Sequence, residues 1–213
     1  VEDSAHLLKI ISGFDTKDST SANVAVPDYA AEMRKGSLRG KKVARPKEFF
    51  TGEGMDPEVA KCIDAAVEKL AALGAEIVDV SMPHLKYSIS CYYLVATAEA
   101  SSNLARYDGA QYGHRTPGTK NIVEMFSRSR AEGFGAEVKR RIMMGTHALS
   151  AGYYDAYDSK ALKVRTLLKQ DYDQAFEKAD LIVAPTSPIA AFAAGAKVDD
   201  PLAMYLCDIF TLS

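Results

Sequence analysis

The chain has 213 residues, of which 47% are hydrophobic and 25% are charged, and its net charge at neutral pH is −2. This composition is typical of an ordinary globular protein and gives no overall attraction to nucleic acid. No apolar run approaches the roughly 20 residues that cross a bilayer, and the amphipathic start lacks a signal-peptide pattern, so no membrane partner is expected.

The first part of the chain predicts two helices separated by a polar loop. Apolar residues recur at helical spacing over 3–12, where Leu7, Leu8 and Ile11 form one side that we expect to be buried. A second, short helix is predicted at 28–35.

A strand, a helix and a second strand follow with the order and loop lengths of a βαβ unit. The strands are predicted at 42–46 and 76–80, and the helix at 57–73, where Asp56 and Pro57 form a cap and first-turn pair. Such a unit places its two strands parallel in one sheet.

The remainder of the chain is mainly helical from 84 to 178. The stretch ADLIVAPTSP, at 179–188, predicts a third, buried strand that is ended by its prolines. One α/β domain over 1–213 accounts for this order of elements.

Two sequence patterns that suggest nucleotide or RNA binding are weak. GEGMDP begins like a dinucleotide-binding loop, but Pro57 occupies the place of the third glycine. The basic run VKRR at 138–141 suggests either RNA contact or a solvated helix face, and the second is the commoner case.

Cysteine and histidine usage indicates neither disulfides nor a metal site. The cysteines are few and widely spaced in apolar surroundings, as expected of small buried side chains in the reducing cytoplasm. The histidines show no metal-ligand spacing, so no metal ion is expected. These residues are Cys62, Cys91, Cys207, His6, His84, His114 and His147.

Two adjacent serines in SSNLARYDG, Ser101 and Ser102, resemble a hydrolase nucleophile. In a helix over 86–105 whose inner stripe is centred on Ile89, both serines point away from the stripe and Asn103 lies at its margin. No lysine or histidine lies nearby in sequence to act as a base, so we interpret them as helix-surface serines.

Several longer segments together resemble one protein family. They include DTKDSTSANV, EASSNLARYDGAQYGHR, SRAEGFGAEVKRRIMMGTHALSAGYYDAY and ADLIVAPTSP. They are similar to the A subunits of bacterial glutamyl-tRNA(Gln)/aspartyl-tRNA(Asn) amidotransferases, a branch of the amidase signature family. The resemblance implies an α/β/α sandwich with a mixed sheet.

The resemblance implies a glutaminase that works within a complex. In this family a serine, activated by a second serine on a cis peptide and by a lysine, attacks the side-chain amide of glutamine. Ammonia then passes to the B subunit, which amidates misacylated tRNA with ATP and Mg²⁺; a C subunit completes the cytoplasmic complex. No cofactor is implied for this chain itself.

The family's catalytic segment, of the form GGSSGGS, precedes the region of similarity and is not among these 213 residues, nor is the upstream lysine. We therefore expect a partial amidase domain over 1–213, truncated at both ends, with no catalytic residue and no activity of its own. Sheet edges and apolar faces left uncovered predict self-association or an unusually apolar surface.

The resemblance also assigns residues that bind the amino-acid head group of glutamine. Carried over residue by residue, it places Arg141 on the α-carboxylate and Asp208 on the α-ammonium. It places Tyr92 at the entrance of the substrate site, or Tyr93 if the match slips by one.

The residue pattern itself leaves alternatives open at these positions. In a helix predicted over 136–152, Arg141 lies at the edge of the apolar stripe and Arg140 lies opposite, in solvent. Arg141 is then either a ligand or a helix-edge arginine that pairs with a structural carboxylate. Asp208 opposes the dipole of a helix predicted over 201–211, so it is either a ligand or a tolerated exposed acid.

Two other functions remain possible from the sequence. One is a different amidohydrolase of the amidase signature family, against which the Arg141 and Asp208 pair argues, because a plain amide has no amino-acid head group. The other is a non-catalytic interaction module that presents VKRR and four further basic residues to a partner. These four are Lys160, Lys163, Arg165 and Lys169.

Overall fold

A computed structural model of the chain describes residues 1–50, 54–150, 153, 157–197 and 200–213, and this part contains eight α-helices and three β-strands. The helices are α1 (Glu2–Ile11), α2 (Tyr29–Lys35), α3 (Pro57–Ala72), α4 (Ser88–Asn103), α5 (Ile122–Gly133), α6 (Ala136–Ala148), α7 (Asp158–Phe176) and α8 (Pro201–Leu206). The strands are β1 (Lys42–Pro46), β2 (Glu76–Val80) and β3 (Leu181–Ile182).

The predicted βαβ unit is confirmed. Strands β1 and β2 pair in parallel with Val43 opposite Ile77, and α3 connects them. The Asp56 carboxylate accepts a hydrogen bond from the Glu58 backbone amide, and Pro57 occupies the first turn. Local capping signals and hydrophobic pattern therefore agree with the tertiary structure in this region.

The third strand is shorter and more exposed than predicted. Strand β3 pairs in parallel with β1 over two residues only, and Leu181 is 48% exposed. One further bond joins the Val183 amide to the Ala44 carbonyl, and the chain then reaches Pro185, which has no amide hydrogen to donate. The sheet order is β2-β1-β3, and both described pairings are parallel.

Helix α4 occupies the centre of the helical part, with α6 on one side and α7 on another. On the α7 side the buried Cys91 thiol donates to the Ala161 carbonyl over 3.2 Å. On the α6 side a Cβ at Gly145 would lie 1.9 Å from the Thr97 carbonyl oxygen, so only glycine permits this approach.

This position of α4 overturns the single inner stripe predicted from the sequence. Ser101 is half-buried, and its Cβ would lie 2.9 Å from a Cβ at Gly145, so it faces α6 rather than solvent. Ser102 is exposed as predicted, and Asn103, which the pattern places at the margin of the stripe, is exposed as well. A helix covered on two sides has two buried stripes, which a single-stripe pattern cannot represent.

Helix α1 forms as predicted, but its apolar side is not buried. Leu7 and Ile11 are 61% and 78% exposed. Among the larger contacts between elements of the described residues, α1 takes part only in the one with α2. Helical periodicity identifies the apolar face of a helix, but whether a neighbour covers that face depends on tertiary structure.

The surface of the chain is unusually large. The chain exposes 14,449 Å², whereas a folded monomer of this size exposes about 9,700 Å². Exposed side chains include large hydrophobic ones such as Ile10, Phe14 and Met143. The expectation of uncovered apolar surface is therefore met, and self-association stays a prediction. Within the described ranges, no helix has both the length and the apolar character needed to cross a membrane.

Candidate functional site

Helix α6 positions the predicted carboxylate ligand. The Arg141 side chain is half-buried, with 35% of it exposed, and its Nε donates to Glu137 Oε1 over 2.9 Å, one helical turn earlier. Arg140 is exposed and pairs with the other oxygen of Glu137, so it lies on the solvent side as predicted. Helix α6 ends at Ala148, and positions 151–152 of the predicted helix lie outside the described residues.

Helix α8 brings a tyrosine to the same carboxylate. Asp200 caps the helix by accepting from the Ala203 amide over 3.0 Å. One turn later, the Tyr205 hydroxyl donates to Glu137 Oε1 over 2.7 Å. A residue 68 positions away in sequence from Glu137 thus shares this acceptor with Arg141.

The helix predicted over 201–211 is too long. Helix α8 ends at Leu206, and Asp208 lies in the turn that follows, where its backbone carbonyl accepts from the Thr211 amide over 2.9 Å. A loop position frees the Asp208 carboxylate from the unfavourable interaction with the helix dipole that the longer helix would impose. The residue is exposed.

Aromatic rings surround the Arg141 guanidinium. Its central carbon lies 6.0 Å from the Tyr93 ring centroid and 5.9 Å from that of Tyr205, at the limit of cation–π range. The two rings lie 4.4 Å apart, and Tyr92 contacts Tyr93 edge-on at 5.1 Å. The guanidinium therefore lies beside the rings of Tyr93 and Tyr205.

Charged and polar neighbours shift the pKa values of Tyr93 and Arg141. Burial raises the pKa of Tyr93 to about 12; Arg141 lowers it, whereas Asp208, with Tyr205 and Tyr92, raises it further. The pKa of Arg141 is raised, chiefly by its hydrogen bond to Glu137, and the Tyr92 hydroxyl adds to this effect. Of these influences on the pKa of Tyr93, that of Asp208 is the smallest.

Sequence reasoning missed two members of the site. Glu137 had a signal, because an acid four residues before an arginine on one helix is a common pair. Tyr205 had none, since its contact with Glu137 depends on how α6 and α8 meet. The pKa of Glu137 is lowered, first by the Tyr205 hydrogen bond and then by that of Arg141, which keeps this carboxylate ionised near neutral pH.

Tyr92 differs in position from its neighbour Tyr93. Tyr92 also lines a cleft of about 470 Å³ between α4 and α7, together with Cys91, Leu168 and Tyr172. Arg141 and Asp208 do not line this cleft. The role of Tyr92, like those of Arg141 and Asp208, stays a prediction.

The serine pair and the basic residues occupy ordinary structural positions. The Ser101 hydroxyl donates to the Ala98 carbonyl of its own helix over 2.9 Å. The four basic residues on α7 are exposed, and two of them pair with acids: Arg165 with Glu99, and Lys169 with Asp173. Across the described residues, no three or more His, Cys, Asp or Glu side chains are grouped to hold a metal ion.

The fold and the site define an amidase-type α/β domain. The family model described as Amidase matches residues 1–213, and the chain belongs to this family. Among its relatives, the A subunit of glutamyl-tRNA(Gln) amidotransferase from Koribacter versatilis is 61% identical over 213 residues. The corresponding protein of Carboxydothermus hydrogenoformans is 59% identical over the same length. In both cases the match covers all of this chain and 44% of the relative.

Solved structures agree with this assignment. The crystal structure of the glutamyl-tRNA(Gln) amidotransferase A subunit from Thermotoga maritima matches with a TM-score of 0.67 and 38% identity. That match covers 99% of this chain and 40% of the other. A bacterial aryl acylamidase of the amidase signature family matches with a TM-score of 0.60 at 19% identity, over 88% of this chain and 35% of the other, which supports the fold alone. The predicted α/β fold class is confirmed.

Proposed function

We propose that the chain is part of the glutamine-hydrolysing A subunit of a tRNA-dependent amidotransferase. The support is its similarity, along all of its length, to the A subunits of glutamyl-tRNA(Gln) amidotransferases. The chain spans 44% of the length of these relatives, so the activity belongs to a longer protein. The catalytic serines and lysine lie in other parts of that protein, and the 213 residues alone have no glutaminase activity.

The observation that carries the proposal is the placement of Arg141. Its Nε is bound to Glu137, so the two outer nitrogens of the guanidinium are the pair left to form a bidentate contact with the α-carboxylate of glutamine. Asp208, exposed in its loop, binds the α-ammonium group. Tyr92, beside the 470 Å³ cleft, forms the entrance of the substrate site.

The remaining partners act outside this chain. Ammonia released from glutamine passes to the B subunit, which uses ATP and Mg²⁺ to amidate Glu-tRNA(Gln) or Asp-tRNA(Asn). The C subunit completes the complex, tRNA is contacted through the complex, and the site of action is the cytoplasm. Apart from that complex, the exposed apolar surface of the chain drives self-association.

The test is steady-state kinetics of the complete amidotransferase complex with Arg141→Ala. The variant should raise the KM for glutamine by some tens- to a hundredfold, because a charge-assisted bidentate contact stabilises the complex by about 2–3 kcal/mol. Hydrolysis of γ-aminobutyramide, which is glutamine without its α-carboxylate, should change little.

Arg140→Ala is the matched control, since Arg140 is the next residue on α6 and its side chain is exposed. It should leave the KM for glutamine within about twofold of the unchanged complex. Equal losses on glutamine and on γ-aminobutyramide for Arg141→Ala would show a structural role and contradict the proposal.

A further inference from the structure

The Glu137 carboxylate connects two helices at the arginine site. Its Oε1 accepts both from Arg141 Nε on α6, over 2.9 Å, and from the Tyr205 hydroxyl on α8, over 2.7 Å. Its Oε2 accepts from Arg140. We propose that Glu137, fixed by Tyr205, is a positioning residue that holds the Arg141 guanidinium in the orientation that binds a substrate carboxylate. This inference rests on the proposed function of Arg141.

The Arg141 nitrogen that Glu137 binds determines which nitrogens remain for a substrate carboxylate. A guanidinium offers a carboxylate two edges, one formed by Nε with an outer nitrogen and one formed by the two outer nitrogens. Glu137 occupies Nε, and it lies on the same helix one turn before Arg141. A substrate carboxylate is therefore directed to the outer edge, with a single geometry.

Tyr205 makes this arrangement rigid. A long arginine side chain loses rotamer freedom when it binds, and a group ordered in advance loses less. Glu137 is held from a second helix by Tyr205, and the Tyr93 and Tyr205 rings lie about 6 Å from the guanidinium carbon. The orientation of Arg141 is thus set before a ligand arrives.

The charge balance still favours an anion. One carboxylate, that of Glu137, is shared by two guanidinium groups, those of Arg140 and Arg141. The group of three therefore keeps one net positive charge at neutral pH. Because Arg140 is exposed, solvent screens its charge, and the charge that a bound substrate meets is that of Arg141.

The test compares Glu137→Ala and Glu137→Gln in the complete complex. Glu137→Ala should raise the KM for glutamine on the order of tenfold, because a misplaced binding group loses much of its effect. Hydrolysis of γ-aminobutyramide should stay within about twofold of the unchanged complex. Glu137→Gln keeps an oxygen that accepts from Nε and from the tyrosine, so it should restore most of the affinity.

Tyr205→Phe is a second variant that keeps the ring and removes only the hydroxyl. It should raise the KM for glutamine by roughly two- to fivefold, with little change in kcat, because the lost hydrogen bond holds Glu137 and affects Arg141 only through it. It decides the question on its own if Glu137→Ala fails to fold, as judged by circular dichroism.

The outcomes separate this inference from the proposed function. If Arg141→Ala raises the KM for glutamine but neither Glu137→Ala nor Tyr205→Phe does, the positioning role is wrong and the proposed function stands. If Arg141→Ala itself has no selective effect, the proposed function fails. Equal losses on both amides in the Glu137 variants would show that Glu137 is structural only, which overturns the inference.

Discussion

Two pairs of helices in this chain are held together in different ways. Helices α4 and α6 approach so closely that a Cβ at Gly145 would overlap the Thr97 carbonyl. Helices α1 and α2 are joined by exposed ion pairs, in which Arg34 binds Glu2 and Lys9 binds the cap residue of α2, while the apolar side of α1 faces outward. Close packing contributes far more to stability than surface ion pairs do.

The candidate site lies on the closely packed pair. Arg141 lies one turn before Gly145 on α6, and Tyr93 lies one turn before Thr97 on α4. A site that must hold a side chain in one orientation benefits from such rigid support. The α1–α2 pair, by contrast, presents an apolar surface with few neighbours, which is typical of a surface that another polypeptide covers.

The largest expected effect is that of Gly145→Ala. The added methyl group would lie 1.9 Å from the Thr97 carbonyl oxygen, so the two helices must separate. We expect the free energy of unfolding in urea to fall by about 3 kcal/mol. Gly13→Ala is the control in the other region, because nothing lies within 4 Å of its Cβ, and it should change stability by less than about 0.5 kcal/mol. Similar effects of the two substitutions would remove the distinction between the helix pairs.

The sequence predicts the parts of the structure that local signals determine, and it predicts less well the parts that depend on how helices pack. The βαβ unit is predicted closely, because its capping residues and loop lengths are local signals that tertiary contacts reinforce. Helix α4 is predicted in extent but not in orientation, because two neighbours bury two of its sides. Ser101 therefore faces α6 rather than solvent, as its 2.9 Å approach to a Cβ at Gly145 shows.

The residues of the candidate site also divide into those that the sequence indicates and those that only the packing of helices reveals. Arg141, Asp208 and Tyr92 are assigned through similarity, whereas Glu137 is marked by its helical spacing from Arg141 alone. Tyr205 has no signal, because its contact with Glu137 arises only when α8 packs near α6. The end of α8 is also not predictable: its Asp-Pro cap fixes where the helix begins, but nothing comparable in the sequence marks where it ends.

A smaller effect on stability is expected from changes on α1. The double substitution Leu7→Ser and Ile11→Ser should change the free energy of unfolding by less than about 0.5 kcal/mol, because both side chains are already mostly exposed. The same change should weaken self-association, measured as the concentration dependence of the sedimentation coefficient. Strong destabilisation would mean that this face is buried after all, and unchanged self-association would mean that other surfaces mediate it.

The most direct test of the proposed glutamine site is a crystal structure of the complete amidase-family protein with glutamine bound. We predict that the α-carboxylate contacts the two outer nitrogens of Arg141 while Nε remains on Glu137, and that the α-ammonium contacts Asp208. A glutamine whose carboxylate is bound by other residues, with Arg141 bonded to Glu137 alone, would contradict this prediction.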